Sequence, residues 1–411
     1  MAGRGRVPGV VAVCVLLLSG LTGCAGRPAP DPGTAAVQEV LDRRATAVLK
    51  GDRSAFLATG AQGADAGAGR SAAGAAEFDR LRAVPLAAWS YRVTAVHRTG
   101  DRAGDRAGAE AELRYRIEGY DRAPVIADRT LRLTRTAGHW YVSSDEPAGK
   151  SGRQLWEQGT VEAVHGAHSL VLGVGQPKGT LRMFAALADR AVPAVTGAWG
   201  ADWPGRVVVL VPKSLEGMAG LLGAQASAYR GIAAVTTGET GGTGRTPADR
   251  IVVNPDAYRL LGDLGGQVVL THETTHVATR AHTTPATPLW LSEGYADWVG
   301  YRDSGRTPLQ VAPELGRSVA RGQIPAALPK DADFAFAGDA GKLALAYEGG
   351  WTACLMIADR WGEARLNAFY RAVGAHRRRA GAVEDALRTV LGTTPQEFTR
   401  QWGAHLKTRL N

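Results

Sequence analysis

Cysteine is scarce in this chain: the 411 residues hold three, Cys14, Cys24 and Cys354. Cys14 and Cys24 belong to an apolar amino-terminal stretch and Cys354 to an apolar helical pattern, which excludes a disulfide framework within one chain. Nothing beside Cys354 in sequence would lower its pKa, so thiol catalysis has no support and Cys354 reads as a small core residue. Long apolar runs are missing as well. The best of them, about Val7 to Leu18, is too short to cross a membrane. Charge of one sign is not concentrated either, with 48 Lys+Arg against 39 Asp+Glu and a formal net charge of +9. No recognition motif accompanies that excess, so nucleic acid is excluded as a partner. The basic patch His376-Arg377-Arg378-Arg379 reads as a solvated helix end or loop, with attraction to anionic lipid or wall polymer as the alternative.

The amino terminus has a basic start with Arg4 and Arg6, then the apolar run, then Leu21-Thr22-Gly23-Cys24. Residues 1–23 therefore read as an export signal. Leu-Thr-Gly-Cys resembles a bacterial lipobox. That resemblance implies lipid on Cys24 and an anchor on the extracytoplasmic face of the cell membrane; a plain secretory signal is the alternative. Enrichment in Ala, Gly and Arg matches a GC-rich, actinobacterial type of genome.

What is present is chemistry at fixed spacing. His272-Glu273-Thr274-Thr275-His276 puts two imidazoles four apart, on one face of a helix and within reach of a single metal ion. Two neutral imidazoles and one carboxylate leave a tetrahedral Zn²⁺ an open position for water, acidified to a pKa of about 7. Glu273, one residue past the first histidine, is turned by about a quarter of the helix circumference and lies beside that position as general base.

Two residues compete as third ligand. His282 stands ten residues after His272, but a turn that returned it to the metal would need positive φ at Thr279, which a β-branched residue resists. Glu293 lies seventeen residues after His276 in Pro288-Leu-Trp-Leu-Ser-Glu-Gly-Tyr-Ala-Asp-Trp298. Pro285 and Pro288 end the first helix, and Thr287 and Pro288 read as N-cap and first position of a second. Glu293 then falls in its second turn, with Gly294 and Ala296 offering small surfaces for the two metal helices to approach. Asp297, one turn on, is placed to accept the outer ring N–H of a histidine ligand. The third ligand is read as Glu293.

HETTH with WLSEGYAD resembles the gluzincin clan of zinc metallopeptidases, the thermolysin-like group, with HExxH followed by Glu-x-x-x-Asp on the next helix. The resemblance is close over the metal helices and looser from about residue 150 onward. It implies one zinc per chain on His272, His276 and Glu293, with Glu273 as base, Asp297 behind the ligands, and a peptide or protein substrate. It also implies a tyrosine that hydrogen-bonds the developing oxyanion; Tyr347 resembles it, with a core-capping tyrosine as the alternative. A further implication is an edge strand just before the metal helix, to which substrate backbone adds. Ile251, Val252, Val253 and Asn254 occupy that place, or else form an ordinary buried strand. The aminopeptidase branch carries Gly-x-Met-Glu-Asn upstream. This chain lacks it, so exopeptidase specificity is not implied.

The expected fold class is α+β, in two units. Residues 24–36 form a Pro-rich spacer. Residues 37–147 read as a helix from about Ala36 to Leu49, a mobile Ala/Gly-rich stretch at 60–76, and strands at 88–98, 109–119, 125–136 and 139–144. Their order resembles the cone of nuclear-transport-factor-2-like domains. Residues 148–411 read as the metallopeptidase unit: strands at 168–174, 206–211, 230–236 and 250–254, helices at 178–199 and 214–223, then a mostly helical part. There Thr394 to Glu397 matches a capping box. Two other functions stay open: the same zinc hydrolase core acting on a non-peptide amide, and a binding lipoprotein with a structural or inactive metal site.

Overall fold

The computed structural model describes residues 32–61, 68–98, 105–149, 151–237, 249–335 and 339–410. Residues 1–23, Cys24 and most of the 24–36 spacer lie outside it. The fold is α+β. Its first part opens with α1 (Pro32–Lys50), α2 (Arg53–Ala58) and α3 (Ala68–Leu81), followed by β1 (Leu86–Arg98), β2 (Arg106–Ile117), β3 (Val125–Thr136) and β4 (His139–Pro147). The four strands form an antiparallel meander in sequence order. Alternation along β2, with Ala107, Ala109, Ala111, Leu113, Tyr115 and Ile117 buried, turns one face onto α1, where Val37, Val40, Leu41 and Val48 form the apolar stripe.

Two expectations fail here. Pro32, assigned to the spacer, opens α1, since a proline at the first helical position gives up no needed donor. Much of the stretch read as mobile is α3: alanine is the strongest helix former, and Phe78 packs on Phe56 with ring centroids 5.2 Å apart.

The second part runs α4 (Leu155–Gln158), β5 (Val161–His165), β6 (Ser169–Val174), α5 (Lys178–Trp199), β7 (Val207–Val211), α6 (Leu215–Leu222), β8 (Ala234–Thr236), β9 (Ile251–Val253), α7 (Pro255–Tyr258) and α8 (Gly262–Thr279). Its sheet has the order β5-β6-β7-β9-β8, parallel through β6, β7 and β9, with antiparallel β5 and β8 at the edges. β5 escapes the sequence reading. Both faces are covered, as a parallel sheet requires. Leu170, Leu172, Val174 and Val208 face the core of the first part, whereas Val171, Val207, Val209, Val211, Ile251 and Val253 face α5 and the helices beyond. A buried ion pair joins the two parts: Arg250 donates to Asp121 Oδ1 at 2.8 Å and Oδ2 at 2.7 Å.

The chain closes with α9 (Leu289–Tyr301), α10 (Pro308–Val311), α11 (Pro313–Ala320), α12 (Ala340–Trp361), α13 (Glu363–Gly374), α14 (Ala382–Ala386) and α15 (Pro395–Arg409). The N-cap of α9 is Pro288 itself rather than Thr287. Thr394 caps α15 by accepting from the Glu397 N–H at 3.2 Å, which is half of the expected box. Gly294 lies against α12, not α8: a Cβ there would stand 2.3 Å from the Gly350 carbonyl carbon. Gly300 is the residue that lets α9 approach α8, with an added Cβ 3.1 Å from the Val268 carbonyl oxygen. Among the described residues no helix is long and apolar enough to cross a membrane.

Candidate metal centre

α8 is buried on nearly every side, so its polar residues need partners within the protein. Three of its four threonines find them on their own helix: Thr271 donates to the Gln267 carbonyl, Thr275 to that of Thr271 and Thr279 to that of Thr275, at 2.8, 2.8 and 3.0 Å. Gly266 admits the Tyr258 ring, whose hydroxyl donates to the Gly266 carbonyl. A helix seated this firmly fixes the direction of its remaining polar side chains.

Among those side chains are His272, Glu273 and His276. Nε2 of His272 and Nε2 of His276 are 2.9 Å apart, and Glu293 Oε2 from α9 lies 3.3 Å from the first and 3.6 Å from the second. Nδ1 of His272 is 2.7 Å from Asp297 Oδ1. A carboxylate there accepts a hydrogen bond from the Nδ1–H, which in the neutral ring leaves the Nε2 lone pair facing the cluster.

Burial disfavours the charged form of His272, yet Asp297, with Glu293 and Glu273, outweighs it and raises its pKa well above the usual range. Burial likewise acts to raise the Glu293 carboxyl, but the adjacent His276 and His272 hold it well below the usual range. Two imidazoles and a carboxylate converging in a buried site call for positive charge, which a proton on His272 supplies and a metal ion between the three would supply in its place.

The donor set fits zinc. His272, His276 and Glu293 form the group among the described residues whose ligand atoms all lie within 4.8 Å of one another. Ligands about 2.05 Å from a tetrahedral zinc stand about 3.3 Å apart, and the observed 2.9, 3.3 and 3.6 Å bracket that figure. His282 is not in the group. Thr279 has φ −82° and the chain passes into a 3-10 turn, so His282 points away, 2.6 Å from Arg371 Nη1 and 3.3 Å from Asp202 Oδ2.

The cluster opens into a cleft of about 740 Å³ whose lining includes Glu273, Leu261, Val268, Leu289, Phe334 and Tyr347. Tyr347, on α12, packs edge-on against Phe334 at 5.2 Å and reaches the same cleft. Tyr301 lines it too, a residue that sequence reasoning missed although it follows Asp297 by one helical turn. Cys354 is fully buried, and burial pushes its thiol up.

The strand expectation is corrected. β9 lies between β7 and β8, and Ile251, Val252, Val253 and Asn254 are completely buried, so none of them offers an edge. Among the described residues the edge strand on this side is β8, and Ala234, Val235 and Thr236 line the cleft. Asn254 instead caps α7 by accepting from the Asp256 N–H at 3.1 Å. Sequence reasoning also missed Thr236, whose hydroxyl donates to Glu273 Oε2 at 2.7 Å.

No protein-family model matches this chain, and no curated protein matches it. Nine solved chains do. One is a yeast LTA4 hydrolase in complex with bestatin, 11% identical with a TM-score of 0.35, over 78% of this chain and 58% of that one. This chain thus spans less than two thirds of that protein's length. Likeness at that level leaves the function to the geometry of the site itself.

Proposed function

We propose that the protein is a zinc metallopeptidase of the gluzincin type, held at the outer face of the cell membrane by lipid on Cys24. The observation that carries the enzymatic reading is the convergence of His272, His276 and Glu293 within 4.8 Å, with Glu273 on the wall of the same cleft. A structural zinc site closes its fourth position with a protein ligand and has no use for a base. Here one zinc per chain would be held by His272, His276 and Glu293, with Asp297 orienting His272. When bound, zinc supplies Lewis-acid chemistry, acidifying water and polarising the scissile carbonyl.

The chain's own groups do the rest. Glu273 takes a proton from the attacking water as the water oxygen bonds to the carbonyl carbon, and returns it to the amide nitrogen as the C–N bond breaks. Tyr347 donates to the carbonyl oxygen as charge develops there.

β8 offers a peptide a place to pair. The Asn254 N–H donates to the Ala233 carbonyl at 2.8 Å and the Thr237 N–H to the Arg250 carbonyl at 2.9 Å. These bonds mark the hydrogen-bonded pairs of the hairpin, so by alternation the backbone amides of Ala234 and Thr236 face the open side. An extended substrate would add there as a sixth strand. The apolar wall of Leu261, Val268, Leu289 and Phe334 suits an apolar side chain.

Two experiments test the proposal. Incubating the soluble form lacking residues 1–24 with a peptide library should give cleavage that a chelator stops and added zinc restores; a zinc-loaded preparation that cleaves no peptide would contradict the reading. Labelling cells with a radioactive fatty acid should mark the full-length protein and not its Cys24→Ser variant.

A further inference from the structure

We infer that Thr236 is the positioning residue that holds Glu273 for proton transfer and couples it to substrate docking on β8, an inference that rests on the peptidase reading. Thr236 closes β8 and is 3% exposed. Its Oγ1 stands 2.7 Å from Glu273 Oε2 and 3.0 Å from the Glu273 carbonyl oxygen. A hydroxyl has one proton to give, and the nearer, charged acceptor takes it in preference. The α8 threonines at 271, 275 and 279 spend their hydroxyls on α8 carbonyls, whereas Thr236 reaches across from another element to the carboxylate.

That contact restrains the base and ties it to the sheet. With Oε2 engaged by the hydroxyl, rotation of the carboxylate is restrained. Thr236 also turns its backbone amide toward the open edge of the sheet, so the residue that a docked peptide would pair with is the residue that holds the base. The end of β8 is itself clamped. Arg280, just past α8, donates to the Thr237 carbonyl at 2.8 Å and to Asp249 Oδ1 at 2.8 Å, tying both ends of the hairpin loop to the metal helix. Main chain, hydroxyl and base are therefore linked by one set of contacts.

The test uses the zinc-loaded full chain with Thr236→Val, which keeps the shape and removes the hydroxyl, and Thr236→Ser, which restores it. Thr236→Val is expected to lower kcat about 10- to 100-fold, the loss given by one hydrogen bond to a charged group, with KM and zinc content unchanged. Thr236→Ser is expected to recover most of that loss. An unchanged kcat in Thr236→Val, or a serine variant as slow as the valine one, would overturn the inference. A second arm needs neither zinc nor substrate: in metal-free protein the melting midpoints of Thr236→Val, Glu273→Ala and the double variant should be non-additive. Additive midpoints would overturn it. Should the wild type cleave no peptide, the peptidase reading would fall while this second arm still reads the Thr236–Glu273 contact.

Discussion

Asp297 Oδ1 and His272 Nδ1 meet at 2.7 Å, joining two helices through a carboxylate that lies one turn beyond Glu293. The contact selects the ring tautomer whose lone pair faces the cluster. Asp297→Ala should therefore weaken zinc binding about 10- to 100-fold while leaving the fold intact. Competition with a chromophoric chelator measures this; unchanged affinity would show that the ring is oriented by something else.

The third ligand is tested by a pair of variants. Glu293→Ala should abolish stoichiometric zinc in the purified protein, as read by elemental analysis. His282→Ala should retain it, because that ring faces Arg371 and Asp202 on the far side of its turn. The reverse pattern would return His282 to the metal.

Gly294 bears on the site through packing. Alanine there would put a methyl group 2.3 Å from Gly350, forcing α9 and α12 apart and disturbing the ligand next to it in sequence. Destabilisation of at least about 1–3 kcal/mol is expected, together with reduced zinc content. Gly197 on α5 has nothing within 4 Å of an added Cβ, so Gly197→Ala should leave the midpoint level or raise it. Denaturant titration compares the two.

The buried pair between the two parts of the chain is expected to behave as an ion pair broken on one side. Its side chains are 7% and 1% exposed, so Arg250→Met alone should cost about 3–5 kcal/mol by leaving the Asp121 charge buried without its partner. Replacing Asp121 by leucine in the same chain should recover much of that loss. Chemical denaturation of the single and double variants measures it.

The metal centre was legible because its parts are local. HExxH spacing and the Glu-x-x-x-Asp run each lie on one helix, where a period of 3.6 residues sets who shares a face. Thr236 was not legible. Its contact with Glu273 spans 37 residues and depends on which strand closes the sheet. Val, Ile and Asn at 251–254 look like a strand from sequence alone, but nothing in them says that three further residues, Ala234–Thr236, pair outside and take the edge. α3 was hidden by its glycines and alanines, a composition that suits a loop until Phe78 and Leu81 find the core. The Gly294–Gly350 crossing was half visible: small residues announced a close approach, but only tertiary packing named the partner.

In the proposed peptidase Glu273 acts as base beside a zinc held by other residues. Glu273→Gln tests it most directly, by measuring zinc content and peptide turnover on one preparation. The expected result is about one zinc per chain with turnover lost, since glutamine keeps the shape and cannot accept the proton. Turnover equal to the wild type's would contradict the account.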